Sequence, residues 1–214
     1  MHWVMHNGIE QRGQVDLPTD HSTRVHPHTS SVGADDRAKL LGQNPGIVWF
    51  TGLPAAGKST VANAVEVTLH NAGKHSFLLD GDNVRTGLCQ DLGFSDEHRH
   101  ENVRRISEVS RLMADAGLLV LVCAVSPFAA DRKLARIIAG PHRFVEVHVH
   151  VPAAVAERRD PKGLYKLARQ GAIKNFTGID SPYEEPLNPD VRIDTTQCSI
   201  ADATALITDL LIHD

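Results

Sequence analysis

A chain of 214 residues, 42% of them hydrophobic, is long enough to bury one substantial core and reads as globular. Its formal net charge of −4 argues against a general polyanion binder, so nucleic acid is not an expected partner and any anionic ligand must be met by local basic residues. No run of 18 apolar residues exists, the opening "MHWVMHNGIEQRG" lacks the apolar core of a leader, and Cys89, Cys123 and Cys198 show neither zinc spacing nor a disulfide framework. No membrane span is expected, and a cytoplasmic location is.

Residues 1–44 differ in composition from the rest. They hold five of the thirteen histidines and much Ser, Thr, Pro and Gly, and read as a partly flexible N-terminal extension with a short helix near "ADDRAKLLG". From Gly46 the pattern becomes regular, and residues 45–214 read as one domain. "GIVWFTG" is a buried strand, and "KSTVANAVEVTLHNAG" is a helix with Val61, Ala64, Val65 and Leu69 at helical spacing. "HSFLLDG" is a second strand. "HENVRRISEVSRLMADAG" is a helix whose apolar face is Val103, Ile106, Val109, Leu112 and Met113. "LLVLVCAV" is apolar on every face, as an interior parallel strand should be. "DRKLARIIAG" is a helix, "RFVEVHVHV" a fourth strand, "VRID" a short fifth and "SIADATALITDLLI" the last helix. Strands alternating with helices predict an α/β fold, a parallel sheet with helices on both faces.

Between the first strand and first long helix lies Gly52-Leu53-Pro54-Ala55-Ala56-Gly57-Lys58-Ser59-Thr60, which fits G-x-x-x-x-G-K-[ST] in the strand–loop–helix context that pattern requires. Gly52 and Gly57 let backbone N–H groups converge on phosphate oxygens, and the helix adds its positive N-terminal end. Lys58 would reach the β- and γ-phosphates of ATP, and Ser59 would offer a hydroxyl to Mg²⁺. The pattern says P-loop and nucleoside triphosphate, but motors, switches and kinases all carry it. The motif alone does not name the acceptor.

The second strand ends in "LLDGDNVRTGL", so Asp80 and Asp82 leave the sheet at the edge where open parallel sheets bind ligands. Such carboxylates can orient an acceptor hydroxyl or organise Mg²⁺, directly or through water; they can equally cap the next helix. Arg85 follows within a turn. In "GFSDEHRHENVRR", Arg99 and Asn102 are three apart and share a helix face suited to an anionic nucleotide, while Glu97, His98 and Arg105 read as solvated. Ser126 follows the central strand in "CAVSPF". The segment of about 157–186, with Lys162, Lys166, Arg169 and Lys174 among glycine and proline, reads as a mobile basic lid or as a surface helix pair.

At these residues the chain resembles the adenylylsulfate kinase (APS kinase) family. The stretches that carry the resemblance are "WFTGLPAAGKST", "LDGDNVRTGL", "DLGFSDEHRHENVRRISEV", "ADAGLLVLVCAVSPF", "RDPKGLYKLARQGAIKNFTGIDSPYE" and "TTQCSI", spanning about residues 45–200. The resemblance implies the P-loop nucleoside triphosphate kinase fold, and transfer of the γ-phosphate of ATP, with Mg²⁺, to the 3′-hydroxyl of adenosine 5′-phosphosulfate. It implies that residues 52–60 bind ATP, that Asp82 acts near the acceptor hydroxyl, and that Asp80 lies nearer the magnesium. It further implies an acceptor site of Asp82, Arg85, Phe94, Arg99, Asn102, Val125, Ser126, Lys162 and Phe176, with Phe94 and Phe176 stacking on adenine and Cys198 beside the adenine of ATP. Ser126 corresponds to a family serine described as a phosphoserine intermediate, a role that direct in-line transfer does not need. A homodimer, and functional association with an ATP sulfurylase, complete the expectation.

Two stretches depart from the family pattern: "PAAG" in the loop, and His148 and His150 in "VHVHVP", where the family more often has Tyr and Asp. Both histidines fall on one strand face, and as a pair alone they read as packed or solvated rather than metal-bound. Other readings of the same residues are a different small-molecule kinase, acting on gluconate, shikimate or a nucleoside monophosphate, and a nucleotide-dependent switch or regulatory module.

Overall fold

The computed structural model describes His26, His28 and residues 30–212; most of the N-terminal extension lies outside the described residues. The chain divides into two units, 1–31 and 32–214, and all the elements below belong to the second. Their order is α1 (Ala34–Leu41), β1 (Gly46–Thr51), α2 (Lys58–Asn71), β2 (Ser76–Asp80), α3 (Gly81–Val84), α4 (Asp96–Asp115), β3 (Leu119–Cys123), α5 (Ala129–Ile138), β4 (Arg143–His150), α6 (Ala153–Arg159), α7 (Leu164–Arg169), β5 (Val191–Asp194) and α8 (Ile200–Ile212).

The five strands form one parallel sheet in the order β2-β3-β1-β4-β5. Alternate side chains supply two cores. Val48 and Phe50 of β1, with Leu119 and Leu121 of β3 and Val147 and Val149 of β4, pack on α2 and α8; Ile47 and Trp49, with Val120 and Val122, pack beneath α4 and α5. β1 is central, and the chain leaves it toward β2 on one side and β4 on the other. This reversal opens a crevice beyond the C-terminal end of β1, where open α/β sheets take ligands.

The face of α4 differs from the apolar reading. Leu112 is 58% exposed, and the buried side includes Arg99, Asn102, Ser107, Ser110 and Ala114. Both serine hydroxyls donate back to helix carbonyls, Ser107 to Val103 O and Ser110 to Ile106 O, which lets polar residues lie in a core. α1 is tied down rather than free: Arg37 donates to Asp115 O, and the Gln43 amide next to it bridges Gly117 O, His75 O and His75 N.

Candidate active site

The loop after β1 is shaped by backbone demands that few residues meet. Gly52 has φ +153°, and a Cβ there would stand 2.3 Å from Val149 O; Gly57, the N-cap of α2, has φ +101°. Gly52 and Leu53, the first residues of the loop, do not line the cavity, and their carbonyls each accept a 2.9 Å bond from Lys58 Nζ. The lysine is thereby held over the loop. Burial lowers its pKa to about 8, against the attraction of Cys123, Asp80 and Asp82.

Ser59, the second residue of α2, donates to Asp80 Oδ2 at 2.6 Å. Asp80 Oδ1 accepts from Asp82 N at 3.0 Å as the N-cap of α3, so this carboxylate both caps a helix and faces the loop serine. The capping reading of Asp80 is realised, and its second oxygen remains turned toward the loop serine. Asp82, one residue into α3, points outward and pairs with Lys162 from the segment between α6 and α7.

A second group of side chains stands across the cavity. Arg85 donates to Leu92 O and Gly93 O, and its guanidinium lies 4.4 Å from the centre of the Phe94 ring. Arg99, nearly buried, donates to Phe94 O and Asn175 O and approaches the same ring at 5.8 Å. Burial lowers the pKa of both arginines, yet each remains a cation at neutral pH. Asn102 is buried with Oδ1 unpartnered. Phe176 is also buried, edge-on to Tyr165, whereas Phe94 is half exposed. His98 and Arg105 are more than solvated residues. Gly93 N donates to His98 Nδ1 and Arg105 forks onto Asp91, so the two tie down the turn that presents Phe94.

Ser126 has φ +40°, a strained conformation for a non-glycine residue. Its hydroxyl is buried, accepting from Trp49 Nε1 at 3.0 Å and donating to Ala124 O at 3.3 Å. The preceding Val125 carbonyl accepts from Thr51 Oγ1. Cys198, near the start of α8, bonds through its N–H to Asp194 O.

Pro54, Ala55, Ala56, Gly57, Lys58, Ser59, Thr60, Asp80, Asp82, Arg85, Phe94, Arg99, Asn102, Val125, Ser126, Lys162, Phe176 and Cys198 line one cavity of about 690 Å³. The segment 157–186 takes in the end of α6 and all of α7, and Arg169 is spent on Glu157 as the surface reading holds. The same segment also grips the loop, through Tyr165 OH to Pro54 O. The sequence reading missed Arg159 and Thr195. Arg159 donates to Thr195 Oγ1 and O, and Thr195 Oγ1 donates to Ala56 O, coupling α6 to the phosphate loop. The only sequence signal for this coupling is a second basic residue immediately before "DPKG".

The family model for adenylylsulphate kinase matches residues 44–194. The adenylyl-sulfate kinase of Marinobacter nauticus is 54% identical over 173 residues, 81% of this chain and 87% of that protein. That of Aeromonas salmonicida is 54% identical over 184 residues, 86% of this chain and 92% of the relative. A solved structure of the Mycobacterium tuberculosis APS kinase in complex with AMPPNP and APS superposes with a TM-score of 0.76 at 51% identity, covering 79% of this chain and 98% of that one. A family model matched over more than half of the chain, and relatives more than half identical over most of their length, show that this chain belongs to the adenylylsulphate kinase family.

Proposed function

We propose that the chain transfers the γ-phosphoryl group of ATP to the 3′-hydroxyl of adenosine 5′-phosphosulfate, giving ADP and 3′-phosphoadenosine 5′-phosphosulfate. One observation carries the reading: the loop that holds Lys58 and the cationic–aromatic group of Arg85, Arg99 and Phe94 share a cavity with Asp82 and Lys162. The arginine-backed aromatic face fits an anionic nucleotide better than a sugar acid, and a switch has no use for an acceptor pocket.

The residues divide the work as follows. Residues 54–60 and the start of α2 receive the triphosphate, with Lys58 offsetting the charge that builds on the γ-phosphoryl group. Arg85, Arg99 and Asn102 hold the phosphosulfate nucleotide, and Phe94 and Phe176 flank its adenine. Cys198 borders the adenine of ATP. Asp82 orients the 3′-hydroxyl and takes up its proton as the oxygen attacks phosphorus in line. The bond from the γ-phosphorus to the β,γ-bridging oxygen breaks, and its electron pair leaves with ADP. The Ser59 hydroxyl and Asp80 carboxylate, 2.6 Å apart, are a hard oxygen pair that fits Mg²⁺ directly or through its waters. Bound there with ATP, Mg²⁺ would neutralise phosphate charge.

Ser126 supports the direct route rather than a phosphoserine. Its oxygen is buried, and both its proton and one lone pair are already engaged. Segment 157–186 acts as a lid that brings Lys162 onto the acceptor, within a domain of residues 45–214. Exposed Leu112 on α4 and Leu134 and Ile137 on α5 support a homodimer. Three free cysteines fit a cytoplasmic enzyme, and association with an ATP sulfurylase would supply its acceptor. Among the described residues no helix is long and apolar enough to cross a membrane.

The test is ADP release measured with and without adenosine 5′-phosphosulfate, using gluconate, shikimate and AMP as controls. Release that depends on the phosphosulfate, with one 3′-phosphorylated product per ADP, is the expected outcome. Equal release with any control acceptor, or none with the phosphosulfate, overturns the reading.

A further inference from the structure

β4 carries a polar stripe that the nucleotide cavity does not use. On its α5-facing side Phe144 joins the core and Glu146 pairs with Arg132, and then come His148 and His150. His148 is only 2% exposed, and its Nδ1 is buried with no hydrogen-bond partner. A buried imidazole nitrogen left unpaired is costly, and the protein keeps it next to a second imidazole whose ring centre is 5.6 Å away. Glu185 completes the group. Its carboxylate lies 3.8 Å from His150 Nδ1, and one ligand atom from each of the three residues falls within 4.8 Å of the others.

Glu185 is brought here by a well-anchored backbone. Tyr183 OH bonds Thr51 Oγ1 at 3.0 Å and its ring packs against His148. The next residue, Glu184, donates N–H to Pro127 O, accepts Ala129 N at its carboxylate and Arg132 at its carbonyl. These contacts fix the chain one residue before Glu185, while the Glu185 side chain itself stays 54% exposed and free to turn.

We propose that His148, His150 and Glu185 form a binding site for a divalent transition-metal ion of the Zn²⁺ or Co²⁺ kind, separate from the nucleotide cavity. None of the three residues lines that cavity. Two imidazoles and one carboxylate are a borderline nitrogen–oxygen donor set, which selects Zn²⁺, Co²⁺, Ni²⁺ or Cu²⁺ over Mg²⁺. Metal–ligand bonds of ~2.0–2.1 Å place ligand atoms about 3.3 Å apart, so rotations moving these atoms by on the order of an ångström close the site. The neighbouring cations do not empty the site of negative charge: Arg132 is paired with Glu146, and Asp194, the register partner of His150, lies near Arg192. A bound ion would tie segment 183–185, at the end of the proposed lid, to the sheet beside the phosphate loop. The proposal does not depend on the kinase reading.

The test is Co²⁺ alone, titrated into the metal-stripped full chain and followed by equilibrium dialysis and visible absorption. Wild type should bind one tight Co²⁺ with the spectrum of a four- or five-coordinate ion, displaced by Zn²⁺. Glu185→Gln and His150→Gln, chosen because both side chains can change without opening the core, should each weaken that ion at least ~10-fold and lose the spectrum. Binding unchanged in both variants would assign the ion to histidines elsewhere in the chain and overturn the proposal, as would a loss confined to one variant or no uptake by wild type.

Discussion

Lys162 and Asp82, eighty residues apart in sequence, form an ion pair at the mouth of the nucleotide cavity. Both side chains are well exposed, so the pair is weak as a stabilising contact and easily exchanged. Its value lies in position. The ammonium rests on the carboxylate that would handle the acceptor proton, and an anionic substrate arriving there would draw the lysine to itself and release Asp82 to the hydroxyl.

That exchange sets the first prediction. Lys162→Ala should lower kcat/KM for adenosine 5′-phosphosulfate by about 1–3 kcal/mol, the range for one charged hydrogen bond. ATP affinity measured without acceptor should barely change. Separate titrations of donor and acceptor decide it, because equal weakening of both, or of ATP alone, would assign Lys162 to the donor site.

Asp82→Asn isolates the other partner. The amide keeps the size and the Asp82 N–H bond to Asp80, but cannot accept a proton. The expected result is a fall in kcat of ~10²-fold or more with little change in the KM for ATP, since proton transfer counts in the transition state and not in donor binding. Loss of ATP affinity with normal turnover of the bound complex would make Asp82 a metal ligand instead.

Much of this site was legible because its signals are local. Gly52 to Thr60 is one unbroken stretch, and its two glycines answer a backbone requirement that sequence displays directly. The strands were legible too, because doubly buried runs such as Leu119–Cys123 are apolar throughout. Side-chain self-satisfaction was not legible: Ser107 and Ser110 hide their hydroxyls against their own helix, so polar residues occupy the core side while Leu112 faces out. Long-range joins were equally hidden. Nothing local to Arg159 announces Thr195, and nothing in "VHVHVP" announces that Glu185 will arrive beside it.

Ser126→Ala tests the covalent alternative. The substitution removes the acceptor of the Trp49 N–H and leaves the φ +40° turn in place, so a modest loss of stability of about 1–2 kcal/mol is expected. Activity should stay within about tenfold of wild type if transfer is direct. Incubation with γ-labelled ATP alone should leave no label on the wild-type chain. Label that chases into added acceptor, together with an inactive alanine variant, would establish the phosphoserine route.

The last prediction concerns pH and follows from Lys58. Enclosure of its ammonium lowers the pKa from 10.5 to about 8, so the free enzyme loses this charge as pH rises through about 8. Bound triphosphate would favour the protonated form and pull that pKa back up. Linkage then fixes the sign: ATP affinity is flat below about pH 7, and falls above pH 8 as binding must take up a proton, by at most tenfold per pH unit. Calorimetry in two buffers of different ionisation enthalpy should show proton uptake at pH 9 and little at pH 6.5. Lys58→Ala should reduce transfer at least ~10²-fold, because the γ-phosphoryl group loses its nearest fixed cation in the transition state. The same variant should also abolish the fall in ATP affinity between pH 8 and 9. A variant that binds ATP weakly but keeps the wild-type pH profile would place the titrating group elsewhere, and one that retains wild-type turnover would remove Lys58 from the chemistry.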